Sequence, residues 1–264
     1  MISSQGGVPP TSVSIRIENL YKSFGKGQDP VLKGVSLDFP VGKLTYILGS
    51  SGAGKSVLLK HILGLLAPDQ GRVWVEGQDI SLLKPKSLTQ FRLRFGMLFQ
   101  NSALFDDMTV YENIAFPLRE HTTLTEDEMR EKIEKTLSIL GMKGGWDKLP
   151  NELSGGMRKR VGLARAIIRE PRVLLYDEPT TGLDPVTRTT VDDLIATLKR
   201  ELQLTSIVIS HDIPSALLMA DLIAFLHKGV IVFLGSAAEF RVSKHSAIQD
   251  FLDAERRALR AFEV

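Results

Sequence analysis

The chain has 264 residues, 43% hydrophobic and 24% charged, an ordinary balance for a globular protein of one domain plus an insertion. A formal net charge of +2 gives no electrostatic case for a nucleic-acid surface, and the absence of cysteine excludes disulfides, thiol chemistry and Cys-based zinc sites. No stretch approaches the roughly eighteen uninterrupted apolar residues of a membrane span.

The opening MISSQGGVPPTSVS lacks the basic start and apolar run of a secretory signal, so a loose tail over residues 1–14 is expected. A cytoplasmic chain is expected with it, connected to any membrane through a partner. Apolar alternation in SIRIENL and VSLDFPVG predicts antiparallel strands, with GKGQDP as the turn region between them. LTYILG reads as a short buried strand running into a glycine loop, and SVLLKHILGLL has helical spacing. GRVWVEGQDI predicts an exposed strand pair, and FGMLFQ (Phe95–Gln100) a buried strand.

From about residue 101 to 150 charged, helix-favouring runs dominate, and Thr125 with Glu128 forms a capping-box pattern. A helix over Met157–Arg169, a strand VLLYDEP, a helix over Val186–Leu202 and a strand TSIVISH then alternate. That order predicts βα units and a parallel sheet. LIAFLHKGVIVFLG is broken by His227, Lys228 and Gly229 and reads as two short strands around a turn. The expectation is an α/β core with an antiparallel sheet early and a helical insertion in the middle.

GSSGAGKS (Gly49–Ser56) fits the phosphate-loop pattern G-x-x-x-x-G-K-[ST], after an apolar strand and opening a helix. Gly49, Gly52 and Gly54 permit a backbone that wraps phosphates with its N–H groups inward, and Ser50, Ser51, Ala53 and Val57 complete the contact set. Lys55 reaches the β- and γ-phosphates in this reading, and the Ser56 hydroxyl ligates Mg²⁺. VLLYDEP ends a strand in two acids, with Asp177 suited to Mg²⁺ and Glu178 to polarising an attacking water. SIVISHD delivers His211 to a strand end, where a neutral imidazole can donate to a phosphate oxygen. In LSGGMRKR, Ser154, Gly155 and Gly156 precede a helical run, which is how a chain builds a second anion site.

The order phosphate loop, Gln100, LSGG, VLLYDEP, TGLD and His211 resembles the ATP-binding subunit of ABC transporters over Ile15–Gly235. The resemblance implies a P-loop NTPase with a RecA-like core, an antiparallel β subdomain and a helical subdomain at about residues 101–163. It implies an ATPase domain over 15–240 and leaves 241–264 as a C-terminal helical extension. It implies ATP and Mg²⁺, with Phe24 stacking on adenine or serving as a core aromatic. Gln100 then contacts Mg²⁺ or water, or is an exposed strand end, and the loop of Asp184 crosses a dimer interface. Two copies pack head to tail, so that Ser154, Gly155 and Gly156 of one contact the γ-phosphate held by Lys55 of the other.

FQNSALFDDMTVYENIAFPLREHT together with LSGGM is similar to the ATPases of Mla/Mce-type lipid transporters, in which Met stands where most of the superfamily has Gln. Met157 cannot donate to phosphate as an amide can, so interface packing is expected of it. This resemblance implies a peripheral protein at the cytoplasmic face of the inner membrane, powering phospholipid movement through a polytopic permease. A Mce-domain substrate-binding subunit and a small regulatory subunit join the implied partners, and nucleic acid does not. The permease is expected to dock near Ser102–Pro117, with Leu104, Phe105, Met108, Val110 and Tyr111 either lining that groove or forming the core of the insertion. Ile248, Phe251, Leu252, Leu259 and Phe262 stand at near-helical spacing, for packing on the chain's own domain or for docking a partner. The rival readings are an importer ATPase for a polar solute and an ABC-type ATPase acting on DNA or ribosomes.

Overall fold

A computed structural model of the protein describes residues 12–25, 27 and 29–260. Most of the expected tail, Lys26 and Gln28 of the first turn, the side chain of Leu259, and Phe262 lie outside the described residues. The chain divides into two compact units, residues 1–92 with 213–264, and residues 93–212.

The first unit opens with β1 (Val13–Lys22) and β2 (Leu32–Pro40), which pair antiparallel as the alternation predicts. β3 (Leu44–Leu48) is buried along its whole length and leads through the glycine loop to α1 (Lys55–Ile62). β4 (Gln70–Val75) pairs with β1 and turns back into β5 (Gln78–Asp79), giving a sheet in the order β2-β1-β4-β5. This strand pair is less exposed than expected, because Val73 and Val75 face the core at 1% exposure. A short helix α2 (Pro85–Arg92) follows, which no apolar period announced; its proline occupies the first turn and only Phe91 is buried.

In the second unit β6 (Phe95–Leu98), β7 (Val173–Asp177) and β8 (Thr205–Ser210) run parallel, in the order β6-β7-β8. β7 and β8 are buried almost continuously because both faces are covered, whereas β6 buries only alternate residues and ends at Leu98. The expected buried strand over Phe95–Gln100 is therefore shorter and half-buried, with Phe99 and Gln100 exposed beyond it. Between β6 and β7 lie α3 (Val110–His121), α4 (Glu126–Ile139) and α5 (Gly155–Ile167). Capping boxes start α3 (Thr109 with Glu112) and α4 (Thr125 with Glu128), the latter as the sequence predicts. α5 begins two residues earlier than the apolar spacing indicated, with Ser154 as its N-cap. α6 (Pro185–Leu202) is capped by Asp184 and carries proline in its first turn.

The chain then returns to the first unit through α7 (Ile213–Met219), β9 (Leu222–His227) and β10 (Val230–Gly235). β9 runs parallel to β3 and antiparallel to β10, the two strands around a turn that the sequence predicts. α8 (Ala237–Arg241) and α9 (Ser246–Arg260) close the chain. Ile248 and Leu252 of α9 are buried, and Phe251 meets Phe225 at 5.1 Å between ring centroids, so this helix packs on its own unit.

Candidate nucleotide site

The glycine loop has the backbone that the residue pattern requires. Gly52 (φ 77°) and Gly54 (φ 108°) lie in the left-handed region, and a Cβ on Gly49 would stand 2.3 Å from the Leu226 carbonyl oxygen. α1 starts at Lys55 with Gly54 as its N-cap and no side-chain cap hydrogen bond, and a helix start of this kind favours an anion. Lys55 is 7% exposed and curls over the loop, donating to the carbonyls of Gly49 (2.7 Å) and Ser50 (3.3 Å). Ser50, Ser51, Gly52 and Ser56 face solvent, whereas Ala53 is buried and Val57 half-buried. Phe24 is 57% exposed, so it is no core aromatic; its ring lies 5.8 Å from Lys22 Nζ, which is anchored to Asp69 at 2.8 Å.

In the second unit the parallel register does the positioning. Leu98 is level with Tyr176, and Asp177 with Ile209, so Gln100, Asp177, Glu178 and His211 all leave one carboxyl edge. The Glu178 amide donates to Ile209 O at 2.9 Å, and Glu178 takes φ 48°, a left-handed conformation uncommon outside glycine. Its Oε2 accepts from Thr181 Oγ1 at 3.0 Å and faces His211 Nδ1 at 2.9 Å. A carboxylate can only accept, so Nδ1 carries the proton. A neutral His211 in this arrangement presents a bare Nε2, and donation from Nε2 to a phosphate needs the imidazolium. The expectation that a neutral ring suffices is corrected on that ground.

The LSGG segment is built differently from a closed anion cup. Ser154 Oγ accepts from Met157 N at 3.3 Å, and Met157 is half-buried. A Cβ on Gly155 would meet nothing within 4 Å, and one on Gly156 only Thr187 Cγ2 at 3.7 Å. Neither glycine has positive φ, so neither the backbone nor this chain's own packing demands them. The basic run after them is not a free anion patch, although Arg158 is exposed; Lys159 is buried and Arg160 half-buried. Arg158 donates to Leu153 O (2.8 Å), Lys159 to Gln100 O, and Arg160 to Leu140 O. Each cation of the run is taken up by a backbone carbonyl.

Asp184 accepts from the amides of Val186 and Thr187 at 3.0 Å and from Thr187 Oγ1 at 2.5 Å. The Thr187 hydroxyl and amide hold its carboxyl below the usual aspartate range. Two residues that sequence reasoning passed over complete this region. Asp212 is buried, accepting from Thr180 Oγ1 at 3.0 Å and lying 3.4 Å from Arg188 Nε. Asn113, fully buried, holds the Phe105 segment by accepting from Phe105 N (2.9 Å) and donating to Phe105 O (3.0 Å) and Met108 O (2.9 Å).

Beside Gln100 a groove of about 370 Å³ is lined by Phe95, Met97, Phe99, Phe105, Phe116 and Arg165, among others. Phe105 and Phe116 meet at 5.1 Å, and both rings are exposed. Leu104, Met108 and Tyr111 are half-buried. Of the two alternatives for Val110, groove or core, it takes the core, at 1% exposure, because the capping box at Thr109 turns its side chain into the unit. No helix among the described residues is long and apolar enough to cross a membrane.

A phosphate loop opening one helix, together with acids and a histidine at a parallel strand edge, defines an ATP-hydrolysing enzyme of the P-loop class. The chain belongs to the ABC transporter family, whose model matches residues 32–181. It is 41% identical over 231 residues to the intermembrane phospholipid transport system ATP-binding protein MlaF of Escherichia coli (strain K12), covering 88% of this chain and 86% of that protein. It is 39% identical over 250 residues to the probable ribonucleotide transport ATP-binding protein mkl of Mycobacterium leprae (strain TN), covering 95% of this chain and 72% of that one. Among solved structures, cbiO1 from Clostridium perfringens, part of the ABC transporter complex cbiONQ, superposes with TM-score 0.82 at 30% identity, over 96% of this chain and all of that one. A dimeric ATP-binding cassette in a post-hydrolysis state with ADP and Pi superposes with TM-score 0.75 at 30% identity, over 84% and 98%. The chain is accordingly an ATP-binding ATPase, of a family whose cassettes act as dimers with membrane permeases.

Proposed function

We propose that this ATPase powers phospholipid trafficking between the inner and outer membranes through a partner permease, from the cytoplasmic face of the inner membrane. The observation that carries the reading is the 41% identity to MlaF over 88% of this chain and 86% of that one. The likeness to the ribonucleotide transport protein favours a polar solute instead, but leaves over a quarter of that protein uncovered. The exposed aromatic groove beside Gln100 supports docking of a permease segment near Ser102–Pro117. The implied Mce-domain and regulatory subunits complete this assembly as proposals.

Within the site, Phe24 is assigned to adenine and Gly49–Val57 to the phosphates, with Lys55 on the β- and γ-oxygens. Ser56, Gln100 and Asp177 are assigned to Mg²⁺, each offering a hard oxygen of the kind that this ion prefers. Bound there, Mg²⁺ neutralises charge on the phosphates. Glu178 is the base toward the attacking water, and His211, held through Nδ1, donates from Nε2 to the γ-phosphate only as the imidazolium. Ser154, Gly155 and Gly156 serve the nucleotide of a second copy, which fits glycines that this chain's own packing does not need. Asp184 orders the start of α6 at the dimer interface, and the domain limits 15–240 and 241–264 are retained in this reading.

Mass spectrometry of small molecules co-purifying with the assembled permease complex tests the substrate. Phospholipid enriched over a matched empty-membrane control is the expected result. A complex that carries no lipid, and whose ATPase rate responds to a nucleotide or amino acid, would overturn the proposal.

A further inference from the structure

Lys159 is 4% exposed, and no carboxylate pairs with it among the described residues. Its ammonium donates to the carbonyl of Gln100. Six residues further along α5, Arg165 donates to Ser102 O (2.9 Å) and Ala103 O (2.6 Å). Those carbonyls are turned toward the helix by two consecutive left-handed residues, Ser102 (φ 60°) and Ala103 (φ 45°). Gly162 lies between the two cations in sequence, and a Cβ there would stand 3.0 Å from Leu98 Cδ1 and from Ser102 Cβ. Helix and loop are thus in direct contact and joined at both ends of the loop.

We infer that Lys159 is a positioning residue for Gln100, tying the loop 100–103 to the helix that begins at Ser154 so that the two shift as one body. An apolar side chain would fill the same buried space without the cost of desolvating a cation. Taking the Lys159 ammonium out of water carries that desolvation cost, set here against the single carbonyl of Gln100. A displacement at Ser154–Gly156 is then transmitted to Gln100 through one helix turn and one hydrogen bond. The inference rests on the assignment of Gln100 and of Ser154–Gly156 to nucleotide sites made above.

The test uses the full chain with Lys159→Met, Lys159→Arg and Gln100→Ala. Hydrogen exchange of the amides in 99–103 is expected to accelerate about tenfold in Lys159→Met and to return toward wild type in Lys159→Arg. Peptides of α1 should be unchanged. The Mg²⁺ concentration for half-maximal ATPase activity is expected to rise in Lys159→Met and Gln100→Ala alike. Unchanged exchange at 99–103 in a folded Lys159→Met protein would overturn the inference, as would acceleration spread evenly over residues 93–212. Local acceleration with a wild-type Mg²⁺ dependence in Gln100→Ala would leave the positioning intact and remove the metal assignment of Gln100. Should Lys159→Met fail to fold, Lys159→Gln carries the same exchange measurement.

Discussion

His211 Nδ1 lies 2.9 Å from Glu178 Oε2, although 33 residues separate them in sequence. The contact follows from the parallel pairing of β7 with β8, which sets Asp177 level with Ile209 and brings both strand ends to one edge. A carboxylate held by a ring N–H and by the Thr181 hydroxyl is fixed in orientation while remaining an acceptor. Glu178→Gln should therefore keep ATP affinity within about twofold and lose turnover by about 10²–10⁴-fold, the usual worth of a general base. Steady-state ATPase assays beside nucleotide-binding titrations check this; turnover within about fivefold of wild type would remove Glu178 from the role.

Lys55→Ala acts at an earlier step. It removes a charge-assisted contact to phosphate, so ATP affinity should fall about 10–100-fold. Because the ammonium also bridges Gly49 O and Ser50 O, the loop should loosen as well. Titration with a fluorescent ATP analogue at fixed Mg²⁺ measures it, and unaltered affinity would contradict the assignment.

Two glycines on α5 should behave oppositely. Gly155→Ala meets open space within this chain, so the melting temperature should stay within about 2 °C of wild type while ATP-driven dimerisation is lost. Gly162→Ala presses a Cβ to 3.0 Å from Leu98 and Ser102 and should destabilise by about 1–3 kcal/mol. Calorimetry and size-exclusion with ATP separate them; an unimpaired Gly155→Ala dimer would argue against the shared site.

Asn113→Ala should destabilise by about 1–3 kcal/mol, because the Phe105 amide and the Met108 carbonyl would lose the partner they have in the fully buried Asn113 side chain. The same change frees Phe105 from its place in the groove, so co-purification of the permease should weaken beyond what the lower melting temperature explains. Full permease recovery at a temperature where the variant is folded would dissociate the groove from docking.

Acid should destabilise the protein through its helix caps. Hydrogen bonds from the Thr109, Thr125 and Ser236 amides and hydroxyls hold Glu112, Glu128 and Glu239 below their ordinary value of 4.5. A carboxyl depressed in the folded state adds stability that is complete above 4.5 and is lost as pH falls through the depressed values. Melting temperatures should be flat from pH 7 to about 5 and decline below it, and changing all three to Gln should flatten the decline. An unaltered slope in the triple variant would place the acid response elsewhere.

Local chemistry explains what could be read along the chain. Glycines at fixed offsets, a Thr three residues before a Glu, and apolar runs bounded by turns act over a few residues. The phosphate loop, the α4 capping box, the acidic end of β7 and the two strands after Asp221 all follow from such short-range rules. α2 escaped because its single buried residue leaves no period to detect, and the first turn of α5 because two glycines carry no apolar signal.

The sequence by itself determined that this chain is an ATPase, since the phosphate-loop pattern at Gly49–Ser56 and the order of the motifs after it are written in short-range spacing. Only the tertiary structure decided that His211 turns Nδ1 to Glu178, that Val110 goes inward, and that the RKR run grips the carbonyls of Leu153, Gln100 and Leu140. Each of those depends on which strand or loop lies beside which. That choice is made by burial and register between distant residues, and no window of a few residues contains it.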